Sequence, residues 1–190
     1  MKDNLLVPPD LLDRARKIKL FLMDVDGTLT DGGVCLISLP NDGSGDARVA
    51  ELKVFNSLDG VGLNLAHTMG IKTGFITGRH SPAVSQRAKE CHVDFVHLGQ
   101  AAKTEAFEES MRKAQVNADE VAYMGDDLPD MAIARRVGLA VAVANAAPEL
   151  RDICHYQTKT RGGSGTAREV IELILKAQGR WEEAIPLARA

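Results

Sequence analysis

Cysteine is scarce in this chain and poorly placed for structural chemistry. The three present, Cys35, Cys91 and Cys154, are odd in number and form no C-x-x-C pair. Neither a disulfide framework nor a thiolate zinc site is expected, and the three read as small buried hydrophobes. Aromatic residues make up only 4% of the chain, too few for the stacking platforms that hold single-stranded nucleic acid. There is no long basic run, and the net charge is −3, so no nucleic-acid partner is expected. No apolar run approaches the roughly 20 residues that cross a bilayer. Met1 to Lys19 has no apolar core followed by a small-residue cleavage site, so a secretory leader is not expected either. A cytoplasmic protein without a membrane partner is the default. The five histidines, at 67, 80, 92, 97 and 155, show no metal-ligand spacing and are read as incidental.

What the chain does have is an ordinary globular balance, 45% apolar and 26% charged over 190 residues, enough for one domain with a sizeable core. Pro8-Pro9-Asp10 reads as a cap before a short helix, Leu11 to Lys17. Leu20 to Met23 is an apolar strand. Val34 to Leu39 and Val49 to Phe55 have β character and flank the turn-rich Pro40 to Asp46, which predicts a hairpin insert over about 33–55. Strand and helix then alternate: helix Val61–Met69, strand Ile71–Thr77, helix from Ser81-Pro82 to about Cys91, strand Asp94–Leu98, helix Lys103–Gln115, strand Val121–Met124, helix Pro129–Val137 and strand Leu139–Val143. Gly162-Gly-Ser-Gly165 precedes an amphipathic helix, Thr166–Gln178, with Val170, Ile171, Ile174 and Leu175 inward. A tail from about 179 to 190 carries the one tryptophan, Trp181. The pattern predicts a single α/β domain over 1–190: a doubly wound, Rossmann-like parallel sheet with helices on both faces, an inserted hairpin and no cap domain. Ligands in such sheets bind beyond the carboxyl ends of strands.

The chain's polar clusters fall at those ends. Asp24 and Asp26 follow the first strand, Thr77 and Arg79 the second, and Asp126 and Asp127 a later one. In an extended chain, side chains two apart point the same way, so Asp24 and Asp26 should crowd one spot. Two like charges about 4 Å apart repel by about 4 kcal/mol at an effective dielectric of about 20, so such a pair calls for a cation, a proton or a function. Each piece has a plainer reading when taken alone. Asp24 and Asp26 could be solvated loop acids, Asp126-Asp127 an N-cap pair for the helix after Pro129, Lys103 a solvated helix start, Arg87 a surface arginine and Arg168 structural.

Taken together, Asp24-Val-Asp26-Gly27-Thr28, Ile76-Thr77-Gly78-Arg79, Lys103 and Gly125-Asp126-Asp127-Leu-Pro-Asp130 occur in the order of the four motifs of the haloacid dehalogenase-like phosphohydrolases, which the chain resembles. The absent cap, the early hairpin and Gly162-Gly163-x-Gly165-x-x-Arg168-Glu169-Val170 resemble a narrower family, the capless 3-deoxy-D-manno-octulosonate 8-phosphate phosphatases. The resemblance implies Asp24 as nucleophile, Asp26 as general acid and base, Thr77 and Lys103 on the phosphoryl oxygens, and Mg²⁺ held by Asp24, Asp26 and Asp126 with the Val25 carbonyl. Asp127 and Asp130 would lie nearby. It implies substrate contacts from Asp26, Asn56, Ser57, Leu58, Asp59, Gly60, Asn64, Arg79, Arg87 and Lys103. It also implies a homotetramer with hairpins packed together, in which neighbours complete the site. The reaction would serve lipopolysaccharide precursor synthesis. Two departures concern the substrate: Leu58 and Asn64 stand where family members carry arginine. A phosphatase for another 2-keto sugar acid, such as a nonulosonate 9-phosphate, is the alternative. A phospho-accepting signalling domain would share the acidic pocket, but Asp26 argues against it, because an acid/base two residues on would strip the phosphate.

Overall fold

The computed structural model describes residues 8–40, 48–100 and 102–188. In chain order the elements are α1 (Pro9–Arg16), β1 (Leu20–Met23), β2 (Cys35–Leu39), β3 (Arg48–Leu52), α2 (Ser57–Thr68), β4 (Lys72–Ile76), α3 (Pro82–Glu90), β5 (Phe95–His97), α4 (Lys103–Ala114), β6 (Val121–Gly125), α5 (Met131–Ala134), β7 (Leu139–Ala142), α6 (Pro148–Arg151), β8 (Tyr156–Gln157), α7 (Thr166–Ala177) and α8 (Trp181–Leu187). Prolines open α1, α3 and α6, where a missing N–H costs nothing.

Six strands form one sheet in the order β5-β4-β1-β6-β7-β8, with every neighbouring pair parallel. β1, β6 and β7 are buried at every residue. Continuous rather than alternating burial means that both sheet faces are covered, as a parallel sheet requires. From β1 the chain winds outward through β4 and β5, then crosses back to β6 on the other side of β1. Strand order therefore reverses between β1 and β6, which opens a crevice at their carboxyl ends.

α7 packs against α1 and α2, and α4 lies over β1 and β4 beside α5. The amphipathic reading of α7 holds, since Val170, Ile171, Ile174 and Leu175 are all buried. The helix expected over 129–137 is shorter: a 3₁₀ turn over Leu128–Asp130 leads into the four-residue α5. Asp127 caps that turn, its side chain accepting the Leu128 N–H at 2.8 Å, as the plainer reading of this pair expected. α8 shows that part of the tail is helical, with Trp181 flanked by the Arg168 guanidinium and the Lys176 ammonium.

β2 and β3 form a separate antiparallel hairpin, with Cys35 opposite Leu52 and Leu39 opposite Arg48. Its return strand stops at Leu52, short of the predicted Phe55. The turn residues Asn41 to Asp46 lie outside the described residues. Leu36, Ile37, Leu39, Val49 and Leu52 are all exposed.

Candidate active site

The site begins where β1 ends. The Asp24 N–H continues the ladder by donating to the Met124 carbonyl at 2.9 Å, which fixes the Asp24 side chain at the crevice mouth. The next carbonyl, Val25, accepts the N–H groups of Thr28, Leu29 and Thr30 at 3.3, 2.9 and 3.1 Å. The chain thus turns sharply just after the strand. Gly27 permits this turn with φ of 85°, and a Cβ there would lie 2.1 Å from Asp126 Oδ2. The Asp126 carboxylate therefore packs directly on the Gly27 backbone, and Thr28 Oγ1 donates to its Oδ1 at 3.3 Å. Gly162 closes on the same turn from the other side. A Cβ on it would fall 1.8 Å from the Gly27 carbonyl oxygen. The Gly163 N–H and the Thr166 hydroxyl both donate to the Thr28 carbonyl, at 3.1 and 3.0 Å. The Gly162–Gly165 segment thus braces this chain's own acidic turn.

Lys103, at the start of α4, is 8% exposed and donates to Asp24 Oδ1 at 2.6 Å and Asp130 Oδ1 at 2.7 Å. Asp130 has its oxygens fully engaged. Oδ1 also accepts the Tyr123 hydroxyl at 2.6 Å, and Oδ2 accepts the N–H groups of Asp126 and Asp127 at 2.9 and 3.2 Å. It sets the directions of Lys103 and of the Asp126 backbone. Carboxylate oxygens of Asp24, Asp126 and Asp130 lie within 4.8 Å of one another.

Burial is the main reason that Asp24 is pushed up to about 7. Lys103 opposes the rise and Asp130 adds to it. Burial and then Asp130 likewise raise Asp126 to about 6. Burial pulls on Lys103 in the opposite sense, but the Asp24 and Asp130 carboxylates outweigh it and hold the ammonium above its ordinary range. One permanent cation thus faces three carboxylates. Hard carboxylate oxygens with unbalanced negative charge fit a divalent cation. With Asp130 taken up by four donors, Asp24 and Asp126 are the carboxylates left to bind it.

Asp26 sits beside this centre in a different environment. Its Oδ2 accepts the Thr77 hydroxyl at 3.1 Å, and its Oδ1 pairs with the Lys53 ammonium. Thr77 in turn accepts the Arg79 N–H at 3.2 Å. Thus Asp24, Lys103 and Asp126 come together, and Asp26 pairs with Thr77; the third carboxylate grouped with Asp24 and Asp126 is Asp130, where Asp26 was expected. The Val25 carbonyl is a correction, because its three N–H donors commit it to the turn and leave it no role as a metal ligand.

The expected substrate contacts are mostly engaged within the protein. Asn56 caps α2 by accepting the Leu58 N–H at 2.9 Å and also donates to the Gly163 carbonyl at 3.3 Å. Asp59 is buried and accepts the Arg168 N–H at 3.0 Å, holding the start of α7. Arg87 donates to the Asn56 carbonyl at 3.1 Å and packs against Phe55 and Gly60. Asn64 pairs with His92 at 2.9 Å. Asp59 and Gly60 are thus packed inside and Arg87 is partly buried, whereas Asn64 pairs with His92 on an exposed helix face. Ser57 and Leu58 remain exposed, Leu58 at 52%. Arg79 is exposed at the mouth of the site and is held by Glu51 at 3.1 Å. Lys53 and Glu51 were not anticipated. The available signal was the alternation across 51–55, where Glu51, Lys53 and Phe55 turn partly inward while Leu52 and Val54 face outward.

A doubly wound sheet with paired aspartates at its switch point, a buried lysine beside them and a capless rim defines a phosphatase of the haloacid dehalogenase-like class. The family model of haloacid dehalogenase-like hydrolases matches residues 85–170. The chain is 40% identical over 178 residues to the 3-deoxy-D-manno-octulosonate 8-phosphate phosphatase of Escherichia coli K12, covering 94% of this chain and 90% of the relative. A crystal structure of the same phosphatase from Moraxella catarrhalis, in complex with magnesium ion, phosphate ion and the sugar acid, superposes with a TM-score of 0.83 at 38% identity, covering 94% and 97% of the two chains. The cobalt-bound Haemophilus influenzae enzyme superposes at 0.77 with 33% identity, covering 88% and 89%. The chain belongs to the 3-deoxy-D-manno-octulosonate 8-phosphate phosphatase family.

Proposed function

We propose that this chain hydrolyses 3-deoxy-D-manno-octulosonate 8-phosphate to the free sugar acid and phosphate, with Mg²⁺ and through an aspartyl phosphate on Asp24. The observation that carries this reading is the contrast between two neighbouring carboxylates. Asp24 is buried on Lys103 beside Asp126, whereas Asp26 is half-buried on a hydroxyl and a second lysine. Groups in such different surroundings can divide nucleophilic and proton-transfer work.

In this reading an Asp24 oxygen attacks phosphorus as the bond to the sugar's 8-oxygen breaks. Asp26 gives that oxygen its proton, then takes one from the water that attacks the acyl phosphate, which restores both side chains. Thr77 and Lys103 hold the phosphoryl oxygens as charge spreads over them. Bound Mg²⁺ would offset the charge of the incoming phosphate among these carboxylates. Asp24 and Asp126 would hold it. The Asp26 carbonyl, which accepts no backbone hydrogen bond among those between described loop residues, would be free to take the place first expected of Val25. Arg79 would meet the sugar-acid carboxylate by exchanging Glu51 for it.

The exposed apolar hairpin supports an assembly in which copies pack their hairpins together, a homotetramer by family resemblance. Two strands alone are not stable in water, and Val34, Leu36, Val49 and Val54 are all more than half exposed. Among the described residues no helix is long and apolar enough to cross a membrane. By family resemblance the reaction is a cytoplasmic step in lipopolysaccharide precursor synthesis.

Leu58 and Asn64 favour a second reading, a phosphatase for another 2-keto sugar acid phosphate, because neither supplies a cation. A panel of phosphate esters compared by kcat/KM, with and without Mg²⁺, tests both. The octulosonate ester should exceed a nonulosonate 9-phosphate and simple monoesters by at least about tenfold, or about 1.4 kcal/mol. Equal values would overturn the substrate assignment.

A further inference from the structure

Lys53 is not among the residues expected to act, yet its placement is unusual. It follows β3 at the base of the hairpin, and its side chain is 2% exposed. An ammonium so enclosed must be met by carboxylates. Two meet it: Asp26 Oδ1, and Glu51 Oε1 at 3.3 Å. Glu51 also accepts from Arg79 Nη2 and Nε, at 3.1 and 3.3 Å. The other Asp26 oxygen accepts the Thr77 hydroxyl at 3.1 Å. Both oxygens of Asp26 are therefore tied, one to β4's end through Thr77 and one to the hairpin through Lys53.

We propose that Lys53 is a positioning residue that aims the Asp26 carboxyl at the leaving oxygen. It does so from the hairpin base, with Glu51 bracing it and joining it to Arg79. The proposal rests on the reading of Asp26 as the acid/base of an aspartyl-phosphate mechanism. Lys53 lies on the far side of Asp26 from the Asp24–Lys103–Asp130 cluster in the bonding pattern, and no hydrogen bond or ion pair found among the described residues joins it to Asp24 or Asp126. Its effect should fall on proton delivery rather than on metal or phosphate binding. Without the ammonium, Asp26 keeps only the Thr77 hydroxyl and can rotate about it. A carboxyl misaimed by about an ångström can lose a hundredfold in rate.

The test exploits leaving groups. An alkyl phosphate must have its oxygen protonated as it departs, whereas p-nitrophenolate leaves without a proton. kcat/KM covers events only through phosphoryl transfer to Asp24, so later hydrolysis does not blur the comparison. On Lys53→Met, kcat/KM for the octulosonate ester should fall about 30-fold or more, while that for p-nitrophenyl phosphate stays within about threefold. Lys53→Arg should restore most of the difference. The ratio of the two esters on one preparation is independent of the folded fraction, so a less stable variant still gives an answer, and Lys53→Gln supplies a second reading of the same ratio.

A loss that is equal for both esters, or absent for both, would overturn the proposal. Asp26→Asn run alongside separates the two levels. If Asp26→Asn shows the selective loss and Lys53→Met does not, the Lys53 proposal fails alone. If Asp26→Asn itself shows no selectivity, the acid/base reading fails and the Lys53 proposal falls with it.

Discussion

Replacing Lys103 by methionine keeps most of the side chain's volume and removes one charge. In the metal-free protein that charge is bonded to Asp24 at 2.6 Å and to Asp130 at 2.7 Å, with all three side chains nearly enclosed. Breaking such a buried pair from one side typically costs about 3–5 kcal/mol, because the partner charge is left uncompensated. For a chain of this size each kcal/mol moves the midpoint by roughly 2–4 °C, so Tm should fall by about 6–20 °C. The deficit must also depend on pH. Asp24 already sits at about 7 with Lys103 present, and losing the lysine pushes it higher. Protonation relieves the stranded charge, so the deficit should be large at pH 8 and smaller at pH 5. Thermal unfolding in a chelator at both pH values measures it. A deficit below about 1 kcal/mol, or one that does not change with pH, would refute the view that Lys103 is the charge balance of this centre.

Further outcomes follow from the same geometry. Gly27→Ala places a Cβ 2.1 Å from Asp126 Oδ2 at a positive φ, so the carboxylate must move. Mg²⁺ affinity by calorimetry should drop at least about tenfold, and an unchanged Kd would contradict the packing described. In metal-free protein, burial holds Asp24 at about 7 and Asp126 at about 6 against an ordinary 3.8. The folded state then binds more protons than the unfolded one between these values, so this pair's contribution to stability declines as pH rises towards 7. Metal binding needs both groups ionised, so the Tm gain on adding Mg²⁺ should be larger at pH 8 than at pH 5. A gain that is equal, or larger at pH 5, would count against these two residues as the ligands.

Much of the centre was legible because each motif coincides with a strand end. Asp24, Asp26, Thr77 and Asp126 each follow an apolar run that a parallel sheet must bury, and the switch point brings those ends together. Lys103 was legible only through its order among the motifs, since a lysine opening a helix otherwise reads as solvated. What escaped was long-range. Nothing local to Asp59 announces that it will hold the N–H of Arg168, 109 positions away. The bond from Arg87 to a carbonyl 31 positions away is equally invisible in the local sequence. Lys53 was hidden because a lysine at the base of an exposed hairpin is normally in water. Only the inward alternation of Glu51, Lys53 and Phe55 hinted otherwise. The Val25 carbonyl failed as a ligand for a local reason, since the turn that delivers Asp26 consumes it.

The most direct test concerns Asp24. Rapid acid quench of the protein during turnover of the octulosonate ester, followed by peptide mass spectrometry, should find a phosphoryl group on the peptide carrying Asp24. Asp24→Asn should fold, give no adduct and lose turnover. Turnover without any adduct at Asp24, together with near-normal rates for Asp24→Asn, would contradict the account at its centre.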